Sequence, residues 1–148
     1  MSAAGRFLVV RAGGERYGLG LDAVREVVDV PPPRPVPAST PALRGVMPLH
    51  ERHCSLIHLA SLLGGASPPG QVGDTAVVVS AGGVTMALEV DDVEAVVERG
   101  ATFVGAASAA WASGVWRVGD ELVTVLDLGV LVERLGSTVE GQPSTVER

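Results

Sequence analysis

Short runs of alternating apolar and polar residues dominate the chain, and they predict β-strands. Residues 7–12 and 16–21 form one such pair of runs, joined by two glycines that are typical of a hairpin turn. Residues 45–49 and 53–58 form a second pair, followed by a short apolar helical turn that ends at Gly64. Many short strands joined by Gly-rich turns, without a long amphipathic helix, predict an all-β fold of small barrels with short helical turns.

The strand pattern occurs twice along the chain, at a constant offset. Gly45 aligns with Gly114, and 114 minus 45 is 69; the same offset aligns the strands and turns of both copies without a gap. Two copies are too few for a solenoid and indicate two similar β subdomains related by a pseudo-two-fold axis. We therefore expect one domain with halves at roughly residues 7–64 and 75–136.

Segments without a strand pattern delimit these halves. Residues 31–41 contain six prolines and predict a stiff connector, with a proline-rich ligand for a partner as the less favoured alternative. Residues 65–74 are rich in Gly and Pro and mark the boundary between halves. Residues 100–113 are predicted to form a loop that is packed on a barrel through Phe103 and Trp111.

The ends of the chain fall outside the predicted domain. Residues 1–6 form a short N-terminal arm, and residues 137–148 are polar, contain Gly and Pro and predict a disordered tail. The N-terminus lacks the apolar stretch of a secretory signal, and the single cysteine cannot form an intramolecular disulfide, so we expect a cytoplasmic protein.

Composition excludes several classes of partner. The chain has 148 residues, of which 47% are hydrophobic and 3% aromatic, so the core is expected to consist of Val, Leu and Ala. A net charge of -6 without a basic run argues against nucleic acid and against an anionic membrane surface. No apolar window approaches the length needed to cross a bilayer, so we expect no membrane insertion.

One short stretch contains every histidine and the only thiol: His50, His53, Cys54 and His58. These residue types bind zinc, and a metal or small-ligand module is the alternative functional hypothesis. Strand alternation places His53 opposite Cys54 and His58, which favours ordinary turn or surface histidines.

Catalysis and bound cofactors are not predicted. A Cys54–His58 nucleophile pair would be separated by roughly 13 Å along a strand, at about 3.3 Å per residue, which is too far to share a proton. Phosphate-binding and dinucleotide-binding glycine motifs are absent from the sequence. We therefore expect neither an enzyme nor a cofactor-binding protein.

Five segments, taken together in order and spacing, resemble the CheW-like domain family. They are FLVVRAGGERYGLGLDAVREVV, TPALRGV, LIHLASLLG, TAVVVSAGGVTMALEVDDVEAVVE and GVWRVGDELVTVLDLGVLV. The resemblance covers about residues 7–135. It implies two five-stranded β-barrels, of the SH3-like or OB-like kind, around one hydrophobic core.

The resemblance also implies an activity and partners. Family members are adaptors of bacterial chemosensory arrays that couple the cytoplasmic tip of a chemoreceptor to the regulatory domain of the histidine kinase CheA, without catalysis. By position, Val24 and Glu26 match family residues linked to partner contact, and Gly45 matches the glycine that opens the strand after the proline-rich connector.

The departures from the family pattern fall in one predicted hairpin, at residues 48–58. His50 and Glu51 replace the family's Arg-Gly pair at the turn, Pro48 replaces an Asn and His58 replaces an Asp. His50 lacks the fixed positive fork of an arginine, and Glu51 is disfavoured if its position needs a positive φ. We therefore expect a divergent adaptor in which kinase binding at this hairpin is altered, weakened or lost.

Overall fold

The computed structural model describes residues 5–30, 42–64 and 75–138. This part of the chain contains eleven β-strands and two helices. In chain order they are β1 (Phe7–Ala12), β2 (Glu15–Gly20), β3 (Val24–Asp29), β4 (Leu43–Leu49), β5 (Arg52–His58), α1 (Leu59–Leu62), β6 (Thr75–Ala81), β7 (Val84–Val90), β8 (Asp92–Val97), β9 (Thr102–Gly105), β10 (Ala112–Val118), β11 (Glu121–Leu126) and α2 (Leu128–Thr138).

The strands form two sheets. The first sheet has the order β8-β1-β2-β11-β10-β9, and the second has the order β3-β6-β7-β5-β4. Neighbouring strands are antiparallel except for β2 with β11 and β5 with β7, which are parallel. The predicted mainly-β fold with two related subdomains is confirmed, although the first sheet contains six strands rather than five.

The two sheets do not follow the two halves of the sequence. Hairpin β1–β2 comes from the first repeat, yet it pairs with β8 and β11 of the second repeat. Hairpin β6–β7 comes from the second repeat and pairs with β3 and β5 of the first. The boundary at residues 65–74 therefore separates sequence repeats but not sheets, because each sheet includes a hairpin from the other repeat.

Both exchanged hairpins are apolar on both faces, and this explains the arrangement. In β1, Phe7 and Val9 point into the first sheet's own core, whereas Leu8 and Val10 point into a core shared by both subdomains. The inner core of the first sheet consists of Phe7, Val9, Val97, Val123 and Val125. The inner core of the second sheet consists of Met47, Cys54, Leu56, Ala76, Val78 and Ala87. Both helices contribute side chains to the shared core: Leu59, Ala60, Leu62, Leu128, Leu131 and Leu135.

Large and small side chains compensate for one another inside the first sheet. Phe7 packs edge-on against Trp116, with ring centroids 6.1 Å apart. A Cβ at Gly18 would lie 2.9 Å from a ring carbon of Phe7 and 2.9 Å from a methyl carbon of Val125. Gly18 therefore provides the space that the Phe7 ring occupies in the core.

The segment predicted as a loop at residues 100–113 contains a strand, β9. Trp111 packs edge-on against Tyr17 and Phe103 against Trp116, with ring centroids 6.1 Å and 5.3 Å apart. Both predicted anchors therefore contact the subdomain, but backbone pairing with β10 holds this segment as well.

Helix α2 extends to Thr138, two residues into the predicted tail. The remainder of that tail, the first four residues of the arm, the proline-rich connector at 31–41 and the boundary at 65–74 lie outside the described residues. None of the helices in the described part of the chain is long and apolar enough to cross a bilayer.

Substitution Gly18→Ala is expected to lower the free energy of unfolding by about 1–3 kcal/mol, because the new methyl group overpacks the core beside Phe7. Gly105→Ala is the matched control, since Gly105 is also in a strand and a Cβ there meets nothing within 4 Å. Urea denaturation of both variants measures the difference. Equal stability of the two variants would contradict the assigned packing.

Candidate functional site

The hairpin formed by β4 and β5 contains most of the residues singled out in the sequence. Leu49 pairs with Arg52, so the turn consists of only two residues, His50 and Glu51. Arg52, which lies between the predicted strands at 45–49 and 53–58, is the first residue of β5 and not part of the turn. His50 and Glu51 are both exposed, so a partner can reach the turn.

The turn places a histidine in a left-handed backbone conformation. His50 has a φ of 58°, and its counterpart in the second repeat, Gly119, has a φ of 59°. A positive φ at the first of two turn residues is the pattern of a type II′ hairpin turn, which favours glycine there. A positive φ was the condition for strain at Glu51, and it is not met, because the positive φ belongs to His50.

His50 also joins the two edges of the second sheet. Its Nε2 atom lies 2.7 Å from Oε2 of Glu26 on β3, although β3 and β4 are the opposite edge strands of that sheet. Val28 of β3 and Leu49 of β4 pack on the same inner core, so the sheet curls until its edges face each other. We call the His50–Glu26 contact the edge clasp.

The edge clasp is exposed to solvent, which limits its contribution to stability. The side chain of His50 is 72% exposed and that of Glu26 is 35% exposed. Exposed ion pairs typically contribute about 0–1 kcal/mol because water screens the charges. The contact therefore orients two side chains on the surface more than it holds the fold together.

The structure places the five predicted partner-contact residues in two groups. Glu26, His50 and Glu51 lie at the edge clasp and its turn. Val24 is half-buried at the start of β3, against the shared core. Gly45 is buried, with a φ of 146°, at an irregular pairing within β4, so it follows the start of the strand instead of opening it.

The four side chains of the alternative metal site are not brought together. His50 contacts Glu26, and His53 is exposed on the face of β5 opposite Cys54. Cys54 is buried in the second inner core, and His58 is buried at the far end of the strand. Across residues 5–30, 42–64 and 75–138, no group of three or more His, Cys, Asp or Glu side chains can hold a metal ion. The geometry does not support the four-ligand hypothesis.

The far end of β5 contains a set of polar residues, two of them buried and two half-buried, that sequence reasoning missed. Nε of Arg44 donates to Oε1 of Glu89 at 2.9 Å, and the side chain of Glu89 is only 1% exposed. Nδ1 of His58 lies 2.6 Å from Oγ of Ser61 in α1, and His58 pairs with Glu89 across the parallel strands. We call Arg44, His58, Ser61 and Glu89 the buried polar cluster, after its two buried members, His58 and Glu89. The available signal was a glutamate within the apolar run of β7.

The buried polar cluster has no counterpart in the other subdomain. The residue that aligns with His58 is Asp127, whose carboxylate accepts from the backbone N–H of Val130 at the start of α2. His58 makes no such side-chain bond to the backbone of α1. At the same offset of 69 residues, Ser113 stands for Arg44 and Gly20 stands for Glu89. The equivalent parallel pairing in the first sheet, between β2 and β11, therefore lacks the buried charges.

Burial changes the proton affinity of two side chains in β5. Burial, and then the nearby Arg44 guanidinium, lower the pKa of His58, against a weaker opposing effect of Glu89 and Asp91. His58 is therefore neutral at neutral pH. Burial, with a contribution from Glu26, raises the pKa of the Cys54 thiol to about 11. Cys54 is therefore an unreactive core thiol rather than a nucleophile.

Replacing His50 by glycine is expected to stabilise the turn when the edge clasp is already absent. In a Glu26→Ala background, His50→Gly should raise the free energy of unfolding by about 1 kcal/mol, because glycine adopts a positive φ without strain. Glu51→Gly in the same background is the control and should give no gain. A gain from Glu51→Gly alone would contradict the assigned turn geometry. Urea denaturation distinguishes these outcomes.

Cys54 is expected to resist alkylation in the folded protein. At pH 7.5 its thiolate fraction is small and its sulfur is buried, so reaction with iodoacetamide should be at least about tenfold slower than in urea. Mass spectrometry over a time course measures both rates. Similar rates in the two conditions would show that the inner core of the second sheet opens readily.

Comparison with known proteins is consistent with this architecture. The crystal structure of the scaffolding protein TtCheW from Thermoanaerobacter tengcongensis superimposes with a TM-score of 0.77 at 22% sequence identity, covering 93% of this chain and 95% of that one. A search of curated proteins gave no match. The family model described as CheW-like domain matches residues 6–136. The chain therefore belongs to the CheW-like domain family.

Proposed function

We propose that this protein is a chemosensory adaptor that couples a chemoreceptor to a CheA-type histidine kinase. Family membership over residues 6–136 is the observation that carries this proposal. CheW family proteins are non-catalytic scaffold proteins, so the activity is binding rather than chemistry. The proposed partners are the cytoplasmic tip of a receptor and the regulatory domain of the kinase, and the proposed compartment is the cytoplasm.

The proposed contact surface includes the edge clasp and its turn. Glu26 and His50 are exposed enough for a partner to reach, and their 2.7 Å contact places both on one surface with Glu51. Val24 lies on the same strand as Glu26, and Gly45 lies in β4, so both support the backbone of this surface from within. These five residues are the proposed partner-contact set.

The proposed adaptor binds the kinase with reduced affinity. An arginine at position 50 could hold Glu26 with one N–H group and still present further donors to a partner. The imidazole of His50 has one nitrogen engaged with Glu26, and only the other remains to contact a partner. Fewer charge-assisted bonds at the turn are the physical reason for weaker binding.

Substitution His50→Arg is expected to tighten binding to the kinase regulatory domain by about tenfold, on the order of 1.4 kcal/mol. His53→Arg is the matched control, because His53 is exposed on the same hairpin, gains the same charge and is not part of the edge clasp. Isothermal titration calorimetry against the kinase domain, and separately against a receptor cytoplasmic domain, measures these affinities.

Absence of binding to both partners at micromolar concentrations, for the natural chain and for His50→Arg, would refute the adaptor proposal. Equal tightening by His50→Arg and His53→Arg would leave the adaptor role intact but assign the effect to net charge. In that case kinase binding would not depend specifically on the side chain at position 50.

A further inference from the structure

His58 lies at the junction between β5 and α1, next to residues that hold the subdomains together. It is 4% exposed, and the residues that follow it, Leu59 and Leu62, enter the shared core. The backbone N–H of His58 donates to the carbonyl of Ala42 at 2.7 Å, which fixes the start of the helix. A change in the charge of His58 therefore acts where α1 docks on the shared core.

We propose that the buried polar cluster makes this junction sensitive to protons. Protonation of His58 in mildly acidic solution weakens the docking of α1 on the shared core, and deprotonation restores it. This device is separate from the edge clasp and does not depend on the identity of the binding partner.

The charges around His58 explain the direction of the effect. Arg44 on β4 is a nearby cation, Glu89 on β7 is a nearby anion, and Asp91 follows β7. Helix α1 has no acidic residue in its first turn and no basic residue in its last. Glu89 already accepts from Arg44 at 2.9 Å, so a proton on His58 adds a second cation to an existing ion pair. Burying an added charge is costly in a site that excludes water.

The same arrangement fixes the pH range of the effect. The folded state holds the pKa of His58 below its ordinary value, whereas the unfolded chain titrates near about 6.5. The unfolded chain therefore takes up this proton first as the pH falls. The stabilising contribution of neutral His58 is fully present above about pH 6.5, and it is lost as the pH falls toward the folded value.

Unfolding measured at pH 7.5 and 5.5 tests the proposal. When the pH falls from 7.5 to 5.5, the unfolding equilibrium constant should rise more in the natural chain than in His58→Gln, by a factor of up to about ten. This factor is the limit for one histidine that stays neutral in the folded state. His53→Gln is the control, because His53 is exposed on the same strand, and it should retain the pH dependence of the natural chain. Identical pH dependence in the natural chain and His58→Gln would overturn the proposal.

A local measurement separates a device at α1 from general acid sensitivity. The N–H groups of Leu63 and Gly64 donate to the carbonyls of Leu59 and Ser61, so their hydrogen exchange reports the opening of α1. After correction for the intrinsic pH dependence of exchange, their protection should fall at pH 5.5 in the natural chain but not in His58→Gln. Unchanged protection in the natural chain would contradict the proposed docking change.

Direct titration of the imidazole keeps the proposal testable if His58→Gln does not fold. Proton NMR of the natural chain, with His50→Gln and His53→Gln used to assign the three ring signals by elimination, should show His58 titrating below about pH 6.5. A titration midpoint at or above that value would refute the proposal, because His58 would then be favoured in its charged form.

Discussion

Both sheets depend on the apolar face that the exchanged hairpins present to each other. Hairpin β1–β2 contributes Leu8, Val10 and Leu19 to the shared core, and hairpin β6–β7 contributes Val77 and Leu88 from the symmetric side. Each hairpin also closes the inner core of the sheet that it joins. Neither subdomain can keep its sheet complete without a hairpin from the other repeat, so the subdomains form one structural unit.

The sequence predicted which positions are buried, but not the sheet to which each strand belongs. The constant offset of 69 residues correctly predicts the pseudo-two-fold relation, and the continuous apolar run of β1 is buried on both faces. Whether a hairpin pairs within its own repeat or with the other, the same side chains are buried. Periodicity cannot distinguish these pairings because it reports burial and not the neighbouring strand.

The candidate site shows the same limit. Alignment of His50 with Gly119 was sufficient to mark an unusual turn, because one backbone position holds a glycine in one copy and a histidine in the other. The edge clasp required knowing that the second sheet curls until β3 meets the hairpin. The Arg44–Glu89 pair joins residues 45 positions apart, and no local pattern links a lone glutamate in β7 to its cation.

The exchange of hairpins also sets an order for assembly during synthesis. Every strand of the second sheet lies between Val24 and Val90, whereas the first sheet pairs Tyr17 with Thr124, and 124 minus 17 is 107 residues. A ribosome that releases the chain from its N-terminus thus delivers a complete second sheet first. Hairpin β1–β2 can pack one apolar face on the second sheet, but the face that carries Phe7 and Val9 must wait until β11 emerges. The nascent chain is therefore most exposed to aggregation, and most in need of a chaperone, in that interval.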